Sequence, residues 1–220
     1  MHSTVDYAEF ERINRPLAGR TAEALAAIAG ERTRHARFLN TLSMLEHMGS
    51  YRIMVTQSSA RMTQGTLKHL AEEARHAFFF KRQADRIAGR PLEYRDADMI
   101  APAVARMYFR RLESVVAYAC GKTRVGRRMI YPYVSTVIEY RAVWGYTIYQ
   151  RALDAASVSI SLKSLLAEES NHLSQMRAAL DDPTPGRLGF FLDVEHGLFE
   201  RLLGSLEIAA AERPALALVE

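Results

Sequence analysis

Cysteine is almost absent from this 220-residue chain, since Cys120 is its single example. One cysteine excludes an intramolecular disulfide and a cysteine-rich zinc or rubredoxin-type iron module. We expect Cys120 to be buried packing. No apolar run approaches the ~18 residues of a transmembrane helix, so no membrane span is predicted. Residues 1–6 lack the basic-then-apolar layout of a signal peptide. These absences favour the cytoplasm.

A strong charge of one sign is also lacking. The chain has 29 Lys and Arg against 25 Asp and Glu, a net charge of +4, which is too small and dispersed to indicate nucleic acid. The basic group at Lys122, Arg124, Arg127 and Arg128 is predicted to be a solvated loop. Its alternative role is a dock for an acidic carrier protein or a phosphorylated substrate.

Runs of β-branched residues are scarce, and good helix formers dominate. With 49% apolar and 25% charged residues, the composition is that of a globular protein. The length predicts one domain over residues 1–220. The sequence therefore predicts an all-α fold.

One short pattern occurs twice. Residues 70–76 read Leu-Ala-Glu-Glu-Ala-Arg-His, and residues 166–172 read Leu-Ala-Glu-Glu-Ser-Asn-His. A Glu precedes a His by three positions in each copy, and side chains at that spacing share one helix face. A carboxylate and an imidazole that converge from one helix form half of a metal site.

Each copy is preceded at similar spacing by a Glu in an apolar segment, Glu46 in the first and Glu139 in the second. The spacing suits a helical hairpin, because arms of about 13–15 residues at ~1.5 Å per residue return the chain to the same depth. A buried carboxylate is costly unless it is paired or bound to metal. Residues 35–90 and 127–182 are therefore predicted to be two hairpins that together form a two-metal carboxylate centre in a four-helix bundle.

The bundle core is predicted at residues 31–182, with helices at about 31–60, 66–88, 127–155 and 158–181. A long crossover at about 102–121 joins the hairpins, with Pro102 in its first turn. A helical extension at 6–29, broken near Pro16, precedes the core. An amphipathic helix at 188–210 follows it.

Over residues 35–182 these paired motifs resemble the ferritin-like di-iron carboxylate superfamily, in its oxygenase or oxidase branch, with no single member matched. The resemblance implies a ferritin-like four-helix bundle that binds two iron ions, with a manganese–iron pair as the alternative. It implies bridging roles for two of the carboxylates, Glu73 and Glu169. The implied metal ligands are Glu46, Glu73, His76, Glu139, Glu169 and His172.

Three neighbouring side chains leave alternatives open. His69 shares a helix face with Glu73 and His76, and it is either an additional ligand or, as we expect, a support for the ligands or a surface residue. An additional histidine resembles the arylamine N-oxygenases, although theirs lies on the last ligand helix. Glu72 and Glu168 either pair with the histidine four residues later or, as we expect, are solvated or salt-bridged.

Small residues one turn from the predicted ligands leave room for O₂ or a substrate. Gly49 and Ala142 each follow a ligand Glu by three positions, and Tyr146 follows Glu139 by seven. Pocket lining is a role open to all three, with close helix packing as the alternative for Gly49 and Ala142, and core packing is the role we expect of Tyr146. Core packing is expected of the other nearby aromatic residues, Tyr51, Phe79, Tyr140 and Trp144. The remaining histidines, His2, His35, His47 and His196, have no partner at useful spacing.

The resemblance implies an enzyme that uses O₂ as co-substrate and acts on a small or carrier-protein-bound organic substrate. The reaction would be hydroxylation, N-oxygenation, desaturation or C–C cleavage, supported by an external electron donor. A homodimer is expected. The alternatives are a ferroxidase or iron-storage protein and a rubrerythrin-like peroxidase, and the choice rests on fold-level analogy.

Overall fold

A computed structural model describes residues 7–57, 62–122, 124–180 and 186–212. Within these ranges the regular structure is entirely helical, which confirms the all-α prediction. No helix there is both long and apolar enough to cross a membrane. The α-helices are α1 (Tyr7–Ala29), α2 (Arg32–Gln57), α3 (Gln64–Ala88), α4 (Pro102–Cys120), α5 (Arg124–Ala155), α6 (Lys163–Ala178) and α7 (Arg187–Ala211), with a 3₁₀ turn at Asp96–Asp98.

Local signals set several helix ends. Thr63 caps α3, because its Oγ1 accepts a hydrogen bond of 3.1 Å from the backbone N–H of Thr66. Gly89 ends the same helix at φ +71°, a left-handed conformation that glycine adopts without strain. Pro102 lies in the first turn of α4, as predicted, where its missing N–H costs nothing.

Two predicted helix limits were wrong. α1 continues through Pro16, because its buried residues at helical spacing pack on α5 and α7 and offset the lost hydrogen bond. α6 begins at Lys163 rather than near residue 158, since residues 158–161 read Val-Ser-Ile-Ser, a poor helix-forming run. The predicted limits near residues 60 and 181–182 lie outside the described residues.

Two helical hairpins surround the centre of the bundle. α2 packs against α3, α5 packs against α6, and α3 contacts α6. The hairpins are also joined by Tyr146 of α5, whose Oη donates to Glu46 of α2. α1, α4 and α7 pack on α5, and α7 also packs on α1 and on α4. The four helices that carry the predicted ligands therefore share one interior.

Asp98 orders the connection between α3 and α4. Its carboxylate accepts hydrogen bonds from Arg90 at 2.5 Å and Arg95 at 2.9 Å, and from the backbone N–H of Glu93 at 3.1 Å. The Arg90 guanidinium is the main cause that holds the pKa of Asp98 below its ordinary value. These bonds fix the chain just before α4 begins.

Candidate metal centre

Four carboxylates and three imidazoles converge inside the bundle. α3 contributes a Glu and two His, α6 contributes a Glu and a His, and α2 and α5 contribute one Glu each. Each side chain is buried because its helix turns that face toward the other three helices. The seven residues are Glu46, His69, Glu73, His76, Glu139, Glu169 and His172.

These residues form two groups, and in each group the potential ligand atoms all lie within 4.8 Å of one another. Glu73 belongs to both groups, as a bridging carboxylate would. The first group is Glu46, Glu73, His76 and Glu169, and the second is His69, Glu73, Glu139 and His172. The structure thus brings together all six residues that the paired motifs singled out, and it adds His69.

Glu169 lies between the groups. Its Oε1 is 3.1 Å from Nδ1 of His76, in the first group, and its Oε2 is 3.3 Å from Nδ1 of His172, in the second. A carboxylate whose two oxygens face different imidazoles can span two metal positions. Glu169 therefore contacts histidines of both groups, and Glu73 belongs to both, while their bridging roles stay a prediction.

The outer nitrogens of two histidines are held by carboxylates of the opposite hairpin. His76 Nε2 on α3 bonds Glu168 Oε2 on α6 at 2.7 Å, and His172 Nε2 on α6 bonds Glu72 Oε2 on α3 at 2.8 Å. When Nε2–H donates to a carboxylate, the lone pair of a neutral imidazole remains on Nδ1, which faces the cluster. Both rings are therefore oriented to bind a cation.

The expectation for Glu72 and Glu168 was incomplete. Both are salt-bridged as expected, Glu72 to Lys68 at 3.0 Å and Glu168 to Arg75 at 2.7 Å. Each also bonds the histidine of the other hairpin, a contact that was not predicted. Spacing within one helix cannot reveal a contact between helices. The one available signal was the Glu-Glu doublet in both motif copies.

His69 is arranged like the other two histidines. It is 3% exposed, and its Nε2 lies 3.1 Å from Glu139 Oε1 and 3.3 Å from Glu73 Oε1. Its Nδ1 shares a hydrogen bond of 2.8 Å with Tyr131 Oη. The structure therefore places His69 among the potential ligands rather than on the surface.

Burial and mutual repulsion make the charged forms of the cluster's carboxyl groups costly. Burial and the nearby Glu73 and Glu169 raise the pKa of Glu46 well above its ordinary value. Burial and the same two carboxylates also raise the pKa of Glu139 well above its ordinary value. Burial opposes the charging of His76, but its contacts with Glu169 and the other carboxylates raise its pKa to about 10.

Two atoms of the cluster are unsatisfied. Glu73 Oε1 and His76 Nδ1 are buried and make no well-aligned hydrogen bond in the described part of the chain, although His69 Nε2 lies 3.3 Å from the first and Glu169 Oε1 lies 3.1 Å from the second. Two divalent cations would balance the charge of four carboxylates and give both atoms a partner. The mixed oxygen and imidazole donors suit iron or manganese. The residues present therefore fit a pair of such ions.

Two cavities meet at the cluster. The first, of about 160 Å³, has mostly apolar walls and is lined by Gly49, Ala142 and Tyr146, the residues for which a pocket role was considered. The second, of about 370 Å³, is lined by Arg52, His69 and Tyr131 among others. Gly49, Glu73 and Glu139 line both cavities.

Gly49 allows a close approach to the shared carboxylate. A methyl group added at Gly49 would lie 3.0 Å from Glu73 Oε2. Glycine costs helix stability in the middle of α2, so its presence here is explained by the space that Glu73 needs. By contrast, a methyl group added at Gly145 would meet no atom within 4 Å in the described part of the chain.

Other expectations were partly wrong. Tyr140 and Trp144 are buried in the core, as expected, but Tyr51 is 52% exposed. His35 Nε2 is 2.5 Å from Tyr149 Oη, and His196 Nδ1 is 3.0 Å from Asn14 Oδ1, so these histidines do have partners. Phe79 is half-buried and Cys120 is buried. In the basic group, Lys122, Arg127 and Arg128 are exposed. The Arg124 side chain and His2 lie outside the described residues.

No protein-family model, curated protein or solved structure matches the chain. The geometry of the cluster and its cavities is therefore the basis for a functional assignment.

Proposed function

We propose that this chain is a ferritin-like, non-haem di-iron oxidoreductase that uses O₂ to oxidise an organic substrate. The observation that carries the proposal is the pair of four-residue groups that share Glu73. Such a set, with carboxylates from all four helices and histidines from two, matches the di-metal centres of four-helix bundles. A manganese–iron pair is the alternative metal content.

We assign seven ligands, the six of the paired motifs and His69. His69 is included because Tyr131 holds its Nδ1 while its Nε2 faces Glu73 and Glu139. This is the arrangement by which a protein fixes the ring of a ligating histidine. The second group therefore has two imidazoles and the first has one, so the two metal positions differ.

The bound iron pair would supply O₂ activation and electron transfer. The protein supplies the rest. Glu73 and Glu169 would help to hold both ions, and Glu168 and Glu72 orient His76 and His172. The apolar cavity excludes water from the side of the cluster that a substrate would approach.

The apolar cavity favours an organic substrate over iron itself. A ferroxidase must bring hydrated ferrous ions to its centre, which is easiest along polar walls. Here the walls around Gly49, Ala142 and Tyr146 also carry leucine, isoleucine and phenylalanine side chains, which suit a carbon skeleton. The ferroxidase and peroxidase roles are the alternatives that experiment must exclude.

The other parts of this proposal stay predictions: a small or carrier-bound substrate, an external electron donor, a homodimer and a cytoplasmic location. The exposed Arg127 and Arg128 are where an acidic carrier protein would dock, under this proposal.

The first test is the iron content of the full chain after anaerobic loading, followed by O₂ consumption. We expect about two irons per chain, the number that balances four carboxylates. Glu73→Ala and His172→Ala should lose at least one iron while the far-ultraviolet circular dichroism stays helical. His47→Ala is the matched control, because exposed His47 adjoins Glu46 but lies outside both groups. Full iron content in either ligand variant would contradict the assignment.

The reaction with O₂ then separates the functions. The proposed oxidoreductase should consume a limited amount of O₂ per chain until an organic substrate and an electron donor are added. Continued oxidation of excess ferrous ion into a mineral would show a ferroxidase instead. A protein that reduces hydrogen peroxide far faster than O₂ would show the peroxidase.

A further inference from the structure

The apolar cavity beside the cluster contains two buried polar atoms that lack a hydrogen-bond partner in the part of the chain that the structure describes. They are Oγ1 of Thr21, on α1, and Nη1 of Arg141, on α5. Both residues line the cavity, and they are only 2% and 8% exposed. Buried donors without partners are costly, so native proteins rarely keep them. Both atoms indicate a group that the cavity is built to receive.

The Arg141 guanidinium is held on every edge except Nη1. Its Nε and Nη2 donate to the two carboxylate oxygens of Glu195 at 2.8 Å each, and Nη2 also donates to Asn14 Oδ1 at 2.6 Å. Its carbon lies 3.8 Å from the centre of the Phe199 ring and 4.7 Å from that of Trp144. Arg141 is therefore fixed in place before any ligand arrives, with only the two N–H groups of Nη1 left to donate.

The charge of this site favours a neutral ligand. Glu195 is fully buried and already balances the charge of Arg141. A carboxylate ligand would add a buried negative charge with no partner, in a cavity that Glu46 and Glu139 also line. A neutral oxygen with lone pairs can accept from both Arg141 and Thr21 without that cost.

The cavity limits the size of the ligand. Its volume is about 160 Å³, close to that of an engineered cavity of roughly 150 Å³ that binds benzene. Apolar side chains from five helices form most of its wall, among them Leu25, Phe38, Leu45, Phe109, Ile138 and Leu202. A single ring or a short carbon chain fits this space.

We propose that the cavity binds a small, neutral, mostly apolar molecule with one carbonyl-type oxygen. The oxygen accepts hydrogen bonds from Arg141 Nη1 and Thr21 Oγ1, and the apolar body occupies the space beside the carboxylate cluster. This assignment rests on the proposed function where it identifies the ligand as the substrate. The binding itself requires no turnover and is tested directly.

The experiment compares two probes of the same shape on the iron-loaded full chain by calorimetry. Acetophenone carries the oxygen, and α-methylstyrene has a methylene group in its place. Thr21→Val keeps the side-chain shape but removes the donor, so it should weaken acetophenone binding about tenfold and leave α-methylstyrene within about twofold. Thr21→Ser keeps the hydroxyl and should bind both probes like the wild type. Benzoate should bind at least about tenfold more weakly than acetophenone.

Infrared spectra locate the oxygen. The carbonyl stretch of bound acetophenone should lie at lower frequency than in an apolar solvent and should move back in Thr21→Val. Gly145 lines the same cavity, and a side chain added there would meet no described atom within 4 Å. Gly145→Leu should therefore fill the cavity and eliminate binding of both probes. Wild-type affinity of either probe in Gly145→Leu would place the binding elsewhere and overturn the inference.

Three further results would overturn it: no binding of acetophenone, equal weakening of both probes by Thr21→Val, or preference for benzoate. The first two would mean that Thr21 and Arg141 serve only a resident water. Iron is measured in the same samples. If the chain binds two irons but does not discriminate between the probes, this inference is wrong and the proposed function is unaffected. Discrimination in a chain that binds no iron would support the neutral-ligand site and overturn the proposed function.

Discussion

At Gly49, a single added methyl group should weaken metal binding without lowering the stability of the metal-free fold. Alanine favours a helix interior over glycine by about 1 kcal/mol, so Gly49→Ala should not destabilise the metal-free chain, whose Glu73 side chain can turn away. With metals bound, Glu73 is fixed, and the added methyl would lie 3.0 Å from its Oε2. We expect about tenfold weaker metal affinity in a chelator-competition titration.

Gly145→Ala is the matched control for that substitution. Gly145 also lies mid-helix and lines the same cavity, but its added methyl meets no described atom within 4 Å. The control should gain about 1 kcal/mol of stability and keep the metal affinity of the wild type. Equal metal affinity in the two variants would show that the space at Gly49 does not serve Glu73.

His35 should make the fold sensitive to mild acid. Burial lowers its pKa from 6.5 to about 4 in the folded protein, where it contacts Tyr149. Between those values the unfolded chain binds the proton more tightly, so stability is full above pH 6.5 and is lost as the pH falls toward 4. Between pH 7 and pH 5 the expected loss from this residue is about 2 kcal/mol.

The measurement is urea unfolding of the wild type and His35→Gln at both pH values. Glutamine keeps a hydrogen-bonding group for Tyr149 but cannot be protonated there. Between pH 7 and pH 5, the loss of unfolding free energy should therefore be about 2 kcal/mol smaller in the variant than in the wild type. His47→Gln, at an exposed position on the same helix, should follow the wild type. Parallel losses in wild type and His35→Gln would contradict the prediction.

At the scale of the helices, α3 and α6 each supply a carboxylate that orients a histidine of the other helix. Glu72 on α3 holds His172 on α6, and Glu168 on α6 holds His76 on α3. Glu72→Gln and Glu168→Gln keep the shape but remove the negative charge that strengthens each histidine as a ligand. Each variant should lose about 10–100-fold in metal affinity, measured by chelator competition.

The reciprocal geometry sharpens this test. Glu72→Gln should disturb the metal position at His172, and Glu168→Gln the one at His76, although each variant residue lies on the opposite hairpin. Metal-edge X-ray absorption and the loss of one metal before the other can distinguish the positions. Glu93→Gln, at an exposed carboxylate, is the control and should change nothing. An equal effect of both variants on both positions would contradict the crossed arrangement.

The same helices show how far sequence reasoning reaches. Periodicity and repetition predicted which faces of α2, α3, α5 and α6 turn inward, because a face is a property of one helix. The hydrogen bonds of Glu72 and Glu168 to histidines of the opposite hairpin depend on how separate helices pack. The positions of Thr21 and Arg141 in the wall of one cavity depend on the same packing. No spacing within a helix encodes those contacts. The unbroken α1 at Pro16 has the same origin, since packing overrides local propensity.

For the whole molecule, burial of this acidic cluster without cations opposes folding. Four carboxylates are buried at the junction of both hairpins, and burial and mutual repulsion raise the pKa values of Glu46 and Glu139. The rest of the core must offset that cost, as is common where a fold stores strain for function. Metals should therefore stabilise the fold, because they bind the folded chain and relieve the repulsion.

Glu139→Gln tests this opposition between function and stability. The substitution keeps the shape of the side chain but removes a carboxyl group whose burial costs free energy, either as a buried charge or as a proton taken up because its pKa is raised, so the metal-free variant should be more stable than the metal-free wild type by about 1 kcal/mol or more. It should also lose the metal of the second group, which contains Glu139. Thermal unfolding with and without chelator should rank the metal-loaded wild type first, the metal-free variant second and the metal-free wild type last. A metal-free variant less stable than the metal-free wild type would mean that Glu139 supports the fold itself, and that the cluster is a structural polar network rather than a site that waits for cations.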